Sequence, residues 1–145
     1  MSRLPADDPL ELVHAVMHAY RSRQYRVLRD GAHDITHMES KALGFFARHP
    51  GATQTDLVAH SGRDKGQTAR LVAGLRERGL LAAEPDAADR RSLRLSLTAD
   101  GEAVQALLAA QARKLSKAAV GGFSKDERDQ VAALLRRMLA NLDGA

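Results

Sequence analysis

Apolar positions recur along this chain at helical spacing. Leu10, Val13, Met17, Tyr20 and Val27 form one stripe, with Gln24 as its polar member. The pattern predicts an amphipathic helix of about five turns from Pro9 to Arg29, broken by residues 31–34. Four more helix starts carry capping signatures, a hydroxyl or carboxylate followed three residues later by an acid or amide. Thr36 with Glu39 opens a helix that stops before Pro50-Gly51, and Thr53 with Asp56 opens a short one ending at Ser61-Gly62. Asp64 with Gln67 opens a third, closed by Gly79, and Ser124 with Glu127 opens the last, reaching about Leu142. Leu93-Arg94-Leu95-Ser96-Leu97 alternates strictly, which predicts a half-buried strand, with Leu80 to Glu84 as its hairpin partner. Thr98 then caps a long helix ending at Gly121-Gly122. The expected order is four helices, a hairpin and two helices, in a single domain over residues 1–145.

Composition agrees with a mainly helical fold. The 145 residues are 44% hydrophobic and 28% charged, the range of globular proteins, and only 3% aromatic, with leucine and alanine supplying the bulk. Cysteine is absent, which excludes disulfides, a thiolate nucleophile, cysteine-ligated zinc and a thiol redox switch. The net charge of +4 points to an anionic partner. Residues 1–8 do not resemble a signal peptide and no stretch is apolar enough to span a bilayer, so a soluble, cytoplasmic protein is expected, with no membrane partner.

The middle of the chain has the spacing of a helix-turn-helix: Thr53 to His60, Ser61-Gly62-Arg63, then Asp64 to Arg78. At 100° per residue, Thr68, Leu71, Val72 and Leu75 of the second helix fall on one side and pack inward. Gly66, Ala69, Arg70 and Ala73 fall opposite, flanked by Lys65 and Gln67. Small residues let a helix backbone approach another surface, and an arginine among them can reach guanine bidentately. The alternative is an alanine-rich helix face that receives a partner helix, making the protein a helical protein–protein adaptor.

The hairpin loop runs from Pro85 to Ser92 and carries Asp89, Arg90 and Arg91, with Arg94 on the polar side of the next strand. A protruding arginine tip suits the narrow, electronegative minor groove, and Asp89 is placed to orient Arg91 as an ion pair. From Ser61 to Arg94 eight basic residues face five acids. The first helix and the last, with Val131, Leu134, Leu135, Met138 and Leu142, each present a wide apolar stripe. These stripes either fold back on their own domain or pair with a second copy of the chain.

The run Asp64-Lys65-Gly66, Arg70-Leu71-Val72, Leu75 and Arg78-Gly79-Leu80, followed by Asp89-Arg90-Arg91, Leu95-Ser96-Leu97-Thr98 and Gly101, resembles the MarR family of winged helix-turn-helix transcriptional regulators. The resemblance implies a mainly α fold with a small β-hairpin wing. It sets a winged helix-turn-helix lobe at residues 36–100, a connecting helix at 98–120, and dimerisation helices at 9–30 and 122–145. It further implies a homodimer, read as a repressor, on a pseudo-palindromic operator in double-stranded DNA, with no enzymatic activity. Lys65, Gln67 and Arg70 match the recognition helix, Arg91 the minor-groove wing arginine and Asp89 its partner; Arg90 and Arg94 complete the expected DNA-binding set.

Many members bind a small aromatic acid between the dimerisation helices and the DNA-binding lobe. A carboxylate there calls for arginine or histidine, and His14, His18, Arg21, His33 and His37 are available. His14/His18 and His33/His37 also have the four-residue spacing of metal chelates. Zinc-sensing members add histidines from the fifth helix, however, and residues 98–120 contain none, so neither metal nor cofactor is expected. An enzyme using a histidine base finds no support: there is no phosphate loop, nucleophile motif or pair of carboxylates on one helix face.

Overall fold

Capping side chains start most of the helices. In the computed structural model, which describes residues 7–28 and 34–145, α1 spans Pro9–Gln24. The Asp8 carboxylate accepts from the Glu11 amide at 3.0 Å, and Pro9 at the first position lacks the amide that would be unsatisfied there. The helix then tightens into a 3-10 turn at Tyr25–Leu28, which buries Leu28. The regular helix is therefore shorter than its stripe implied; residues 29–33 lie outside the described residues.

Thr36 and Glu39 form a reciprocal capping box (3.2 and 3.0 Å) at the start of α2, His37–Arg48. Thr53 and Asp56 do the same (3.2 and 2.9 Å) for α3, Gln54–Ser61. α4, Lys65–Glu77, differs: Asp64 caps alone, its carboxylate accepting from the Gly66 amide at 2.7 Å, and Gln67 has no part in the cap. Gly62 (φ 66°) and Gly79 (φ 73°) end α3 and α4 in the left-handed region that the turns require.

The expected hairpin is present as β2, Leu81–Pro85, and β3, Leu93–Leu97, paired antiparallel with Leu81 opposite Leu97 and Pro85 opposite Leu93. A third strand, β1 at Ala52–Thr53, pairs with the other edge of β3, so the sheet order is β1-β3-β2. α5, Ala99–Ala119, follows, and α6, Lys125–Asp143, begins at a capping box between Ser124 and Glu127 (3.1 and 2.9 Å).

The chain divides into two compact units, Met1–Ala112 and Arg113–Ala145. The first holds the core, where Leu43 and Phe46 of α2, Leu57 of α3, Val72 and Leu75 of α4, Leu80, Leu95 and Leu108 meet. Arg78, just past α4, donates to Glu39 Oε2 and to the Asp34 carbonyl, both at 2.5 Å, and so ties the end of α4 to the start of α2. The second unit buries none of its residues, and Val131, Leu134, Leu135, Leu139 and Leu142 of α6 are exposed. In the first, α1 leaves Leu10, Leu12, Val16 and Met17 exposed. Among the described residues no helix is long and apolar enough to cross a membrane.

Candidate nucleic-acid interface and ligand cavity

α3, the Gly62 turn and α4 form the helix-turn-helix. Thr68, Val72 and Leu75 of α4 are buried against the core and Leu71 is half-buried, the inward face that helical geometry assigns. Thr68 also bonds the Asp64 carbonyl at 3.0 Å, which satisfies the one buried hydroxyl on that face. Lys65, Gly66, Gln67, Arg70 and Ala73 are exposed and Ala69 is half-buried. This outer face is shallow, with Arg70 rising from small neighbours.

The wing joins β2 to β3 with Asp89, Arg90 and Arg91 all exposed. Asp89 and Arg91 line a groove of about 390 Å³ together with Arg76 of α4 and Thr53, Gln54 and Thr55 at the start of α3. Wing and recognition helix thus share one concavity. Sequence reading counted Arg76 in the local charge excess but not as a surface element; its step of three from Ala73 along the exposed side was the available signal.

One expectation for the wing is corrected and another gains a structural role. Asp89 is not an ion-pair partner of Arg91: its Oδ1 accepts from the Arg91 backbone amide at 3.1 Å, an Asx turn that shapes the loop and leaves the guanidinium for another partner. Arg94, expected among the DNA contacts, keeps about half of its side chain exposed (54%) and is also bonded inside the wing. Its Nε donates to Asp86 Oδ1 at 2.9 Å and its Nη1 to the Gly51 carbonyl at 3.0 Å. The Arg94 hydrogen bond holds the Asp86 carboxyl below the usual carboxylate range.

His14, His18, Arg21 and His37 line one cavity of about 640 Å³ between α1 and the start of α2, with Met17, Tyr25 and Ile35 among its apolar walls. His33 lies outside the described residues. The Tyr25 hydroxyl and His37 Nδ1 are hydrogen-bonded at 2.8 Å, a partner that sequence reading missed because it joins residues on different elements. Burial, then the positive charges of Arg21, Lys41 and Arg63, lower the His37 pKa, while burial raises that of Tyr25. Both side chains are therefore neutral near pH 7. Among the described residues no group of three or more histidines and carboxylates is positioned to hold a metal ion.

A helix-turn-helix backed by an antiparallel wing defines a winged helix-turn-helix protein. A MarR-family model matches residues 33–92. The chain is 30% identical over 106 residues to the transcriptional regulator HosA of Escherichia coli O127:H6, covering 73% of this chain and 78% of that protein. It is 26% identical to the HTH-type transcriptional repressor NicR of Pseudomonas putida (strain KT2440), over 100% of this chain and 92% of that one. A crystal structure of MarR superposes with a TM-score of 0.74 at 27% identity, covering 97% of this chain and 95% of the other. The chain belongs to the MarR family: it is a winged-helix, DNA-binding transcriptional regulator and not an enzyme. That membership favours the regulator over the adaptor.

Proposed function

We infer that the protein is a homodimeric repressor of a pseudo-palindromic operator whose DNA affinity is set by a small aromatic acid. The observation that carries this reading is the shared concavity of wing and recognition helix, lined by Arg76 of α4 and Arg91 of the wing, beside an exposed α4 face on which small residues surround Arg70. Lys65, Gln67 and Arg70 enter the major groove, while Arg90 and Arg91 follow the backbone into the minor groove. The Asp89 turn presents Arg91 and Arg94 stiffens the wing.

Dimerisation is supported by the exposed apolar rows of α1 and α6, each half-covered leucine of which would gain about half of the 1.5–3 kcal/mol that full burial is worth. Two recognition helices in such a dimer must stand about 34 Å apart to enter successive major grooves. Repression is the activity that the name of NicR carries. The effector reading rests on the cavity between α1 and α2, whose size suits a small molecule and whose Arg21 and histidines suit a carboxylate. An acid bound there acts by favouring one separation of the recognition helices over another.

The test is operator selection in vitro followed by fluorescence anisotropy on the selected DNA, with and without benzoic acids. A dimer that binds one palindromic site and releases it on adding an acid is expected. Equal affinity for selected and random DNA would sink the operator reading. Unchanged affinity in the presence of every acid would sink the effector reading alone.

A further inference from the structure

A second cavity, of about 510 Å³, lies inside the winged-helix lobe between α2, α3 and α4, with Gln105 of α5 on its wall. Its charge is one-sided. Three cations, Lys41 and Arg48 of α2 and Arg63 of the turn, line it together with His60 of α3, and among the described residues no carboxylate does. Among the described residues none of those three cations forms an ion pair. Like charges converging on a recess without a counter-charge raise the local potential for an anion.

Two further observations point to an occupant. Gln105 stands on this cavity's wall, and among the described residues its buried Oε1 has no hydrogen-bond partner, a cost that a ligand donor would remove once the amide turns toward the cavity. Gly44 sits in the middle of α2, where glycine weakens a helix, and is buried. A Cβ there would approach Arg48 Nη1 to 3.3 Å and Gln105 Nε2 to 3.7 Å. The bare α-carbon thus leaves room where the guanidinium and the amide converge. Leu57 and Leu71 supply apolar wall beside these groups.

We propose that this cavity is a binding site for a small organic acid that carries its carboxylate to Arg48 and Lys41, a hydroxyl donor to Gln105, and an apolar body to Leu57 and Leu71. The site is separate from the α1–α2 cavity of the effector reading, and its ligand binds the protein without DNA. Its occupant bridges α2 to the helix-turn-helix and so bears on the placement of α4.

The experiment titrates the DNA-free, full-length protein with 3-phenyllactate, 3-phenylpropionate and inorganic phosphate, reading backbone amide shifts by NMR. Phenyllactate is expected to perturb Gly44, His60 and Gln105, and to bind several-fold tighter than phenylpropionate. Arg48→Ala, at an exposed position, is expected to weaken it about tenfold. Gln105→Leu is expected to abolish the preference for the hydroxy acid while the fold, read by the same spectra, persists. Shifts confined to α1 and residues 35–37, or a response unaltered by Arg48→Ala, would overturn the proposal. So would phosphate perturbing the same amides while phenyllactate does not, since that makes the cavity a seat for a bare phosphate such as that of DNA. Absence of any response to millimolar acid overturns it as well.

Discussion

Arg94 and Asp86 are joined across the base of the wing by a 2.9 Å ion pair, and the same guanidinium reaches the Gly51 carbonyl ahead of β1. One side chain therefore fastens β3 both to the loop after β2 and to the turn that leads into α3. Arg94→Ala is expected to speed hydrogen exchange at residues 86–92 and to weaken operator binding without changing which bases are preferred. The clip also depends on pH. Because the Arg94 bond lowers the folded-state pKa of Asp86, its contribution is present above the ordinary carboxylate range and is lost as pH falls through that lowered value. Exchange of the wing amides, corrected for intrinsic rates, should accelerate in acid in the native protein and show no such step in Arg94→Ala.

Arg91 should behave differently, because its guanidinium is not committed within the wing. Arg91→Ala is expected to cost about 1–3 kcal/mol in operator binding and to lower the dependence of log affinity on log salt by about one unit for a lost phosphate contact. Arg70→Ala should cost a similar amount but also relax preference at one base pair. Anisotropy over a salt series, on the selected operator and on single-base variants, separates the two. Equal affinity of wild type and both variants would remove this docking geometry.

The contrast between Arg91 and Arg94 shows where sequence reading stops. Capping boxes such as Thr36 with Glu39 are legible because both bonds form within one helical turn. The inward face of α4 is legible because burial follows helical period. Alternation likewise put Arg94 on the polar side of its strand, but not beside Asp86 and Gly51, which only the closed sheet brings near. β1 escaped for the same reason: two residues carry no period, and its partners Leu95 and Arg94 lie about forty positions away. Arg78 with Glu39, and Tyr25 with His37, are likewise pairings between separate elements. The cluster of His14, His18, Arg21 and His37 was reachable because the resemblance pointed to one cleft, whereas the lobe's second cavity needed the packing of α2 against α3 and α4.

Gly101 packs against the backbone of Leu80, where a Cβ would overlap the carbonyl oxygen. Backbone on that side cannot rotate away as a side chain would, and Thr98 pins the same junction by donating to the Gly79 carbonyl and accepting from the Gly101 amide at 3.0 Å. Gly101→Ala should therefore destabilise the lobe by about 3 kcal/mol, the upper part of the overpacking range, despite alanine's better helix propensity. Ala103→Gly, at an exposed position of the same helix, should cost only about 1 kcal/mol. Urea denaturation of both variants measures the difference; a Gly101→Ala protein as stable as wild type would contradict the close approach.

The apolar row of α6 yields a prediction about assembly. Leu134 and Leu142 are 55% and 57% exposed, so each leaves more than half of its surface uncovered in the single chain. Replacing both by glutamate should leave the helical content intact and convert the proposed dimer to a monomer, as read by sedimentation velocity. Operator affinity should fall with it, because each monomer then engages only a half-site. A double variant that remains dimeric would move the proposed interface elsewhere, and a monomeric wild type would sink the dimer reading.

The last prediction concerns protons at the α1–α2 cavity. His37 is kept neutral first by burial and then by the charges of Arg21, Lys41 and Arg63. Because burial and neighbouring cations disfavour the charged imidazole, His37 costs the folded state nothing above the ordinary histidine value near 6.5 and destabilises it progressively as pH falls from there toward the lowered value. An organic anion in this cavity offsets the neighbouring positive charge and raises the His37 pKa, so binding takes up protons where the bound histidine is charged and the free one is not. Calorimetry with benzoate at slightly acid pH, in two buffers of different ionisation enthalpy, should therefore give apparent enthalpies that differ in the direction of proton uptake. In His37→Asn the difference should diminish while Arg21 still supports binding. Identical enthalpies in the two buffers for wild type would place the anion away from His37.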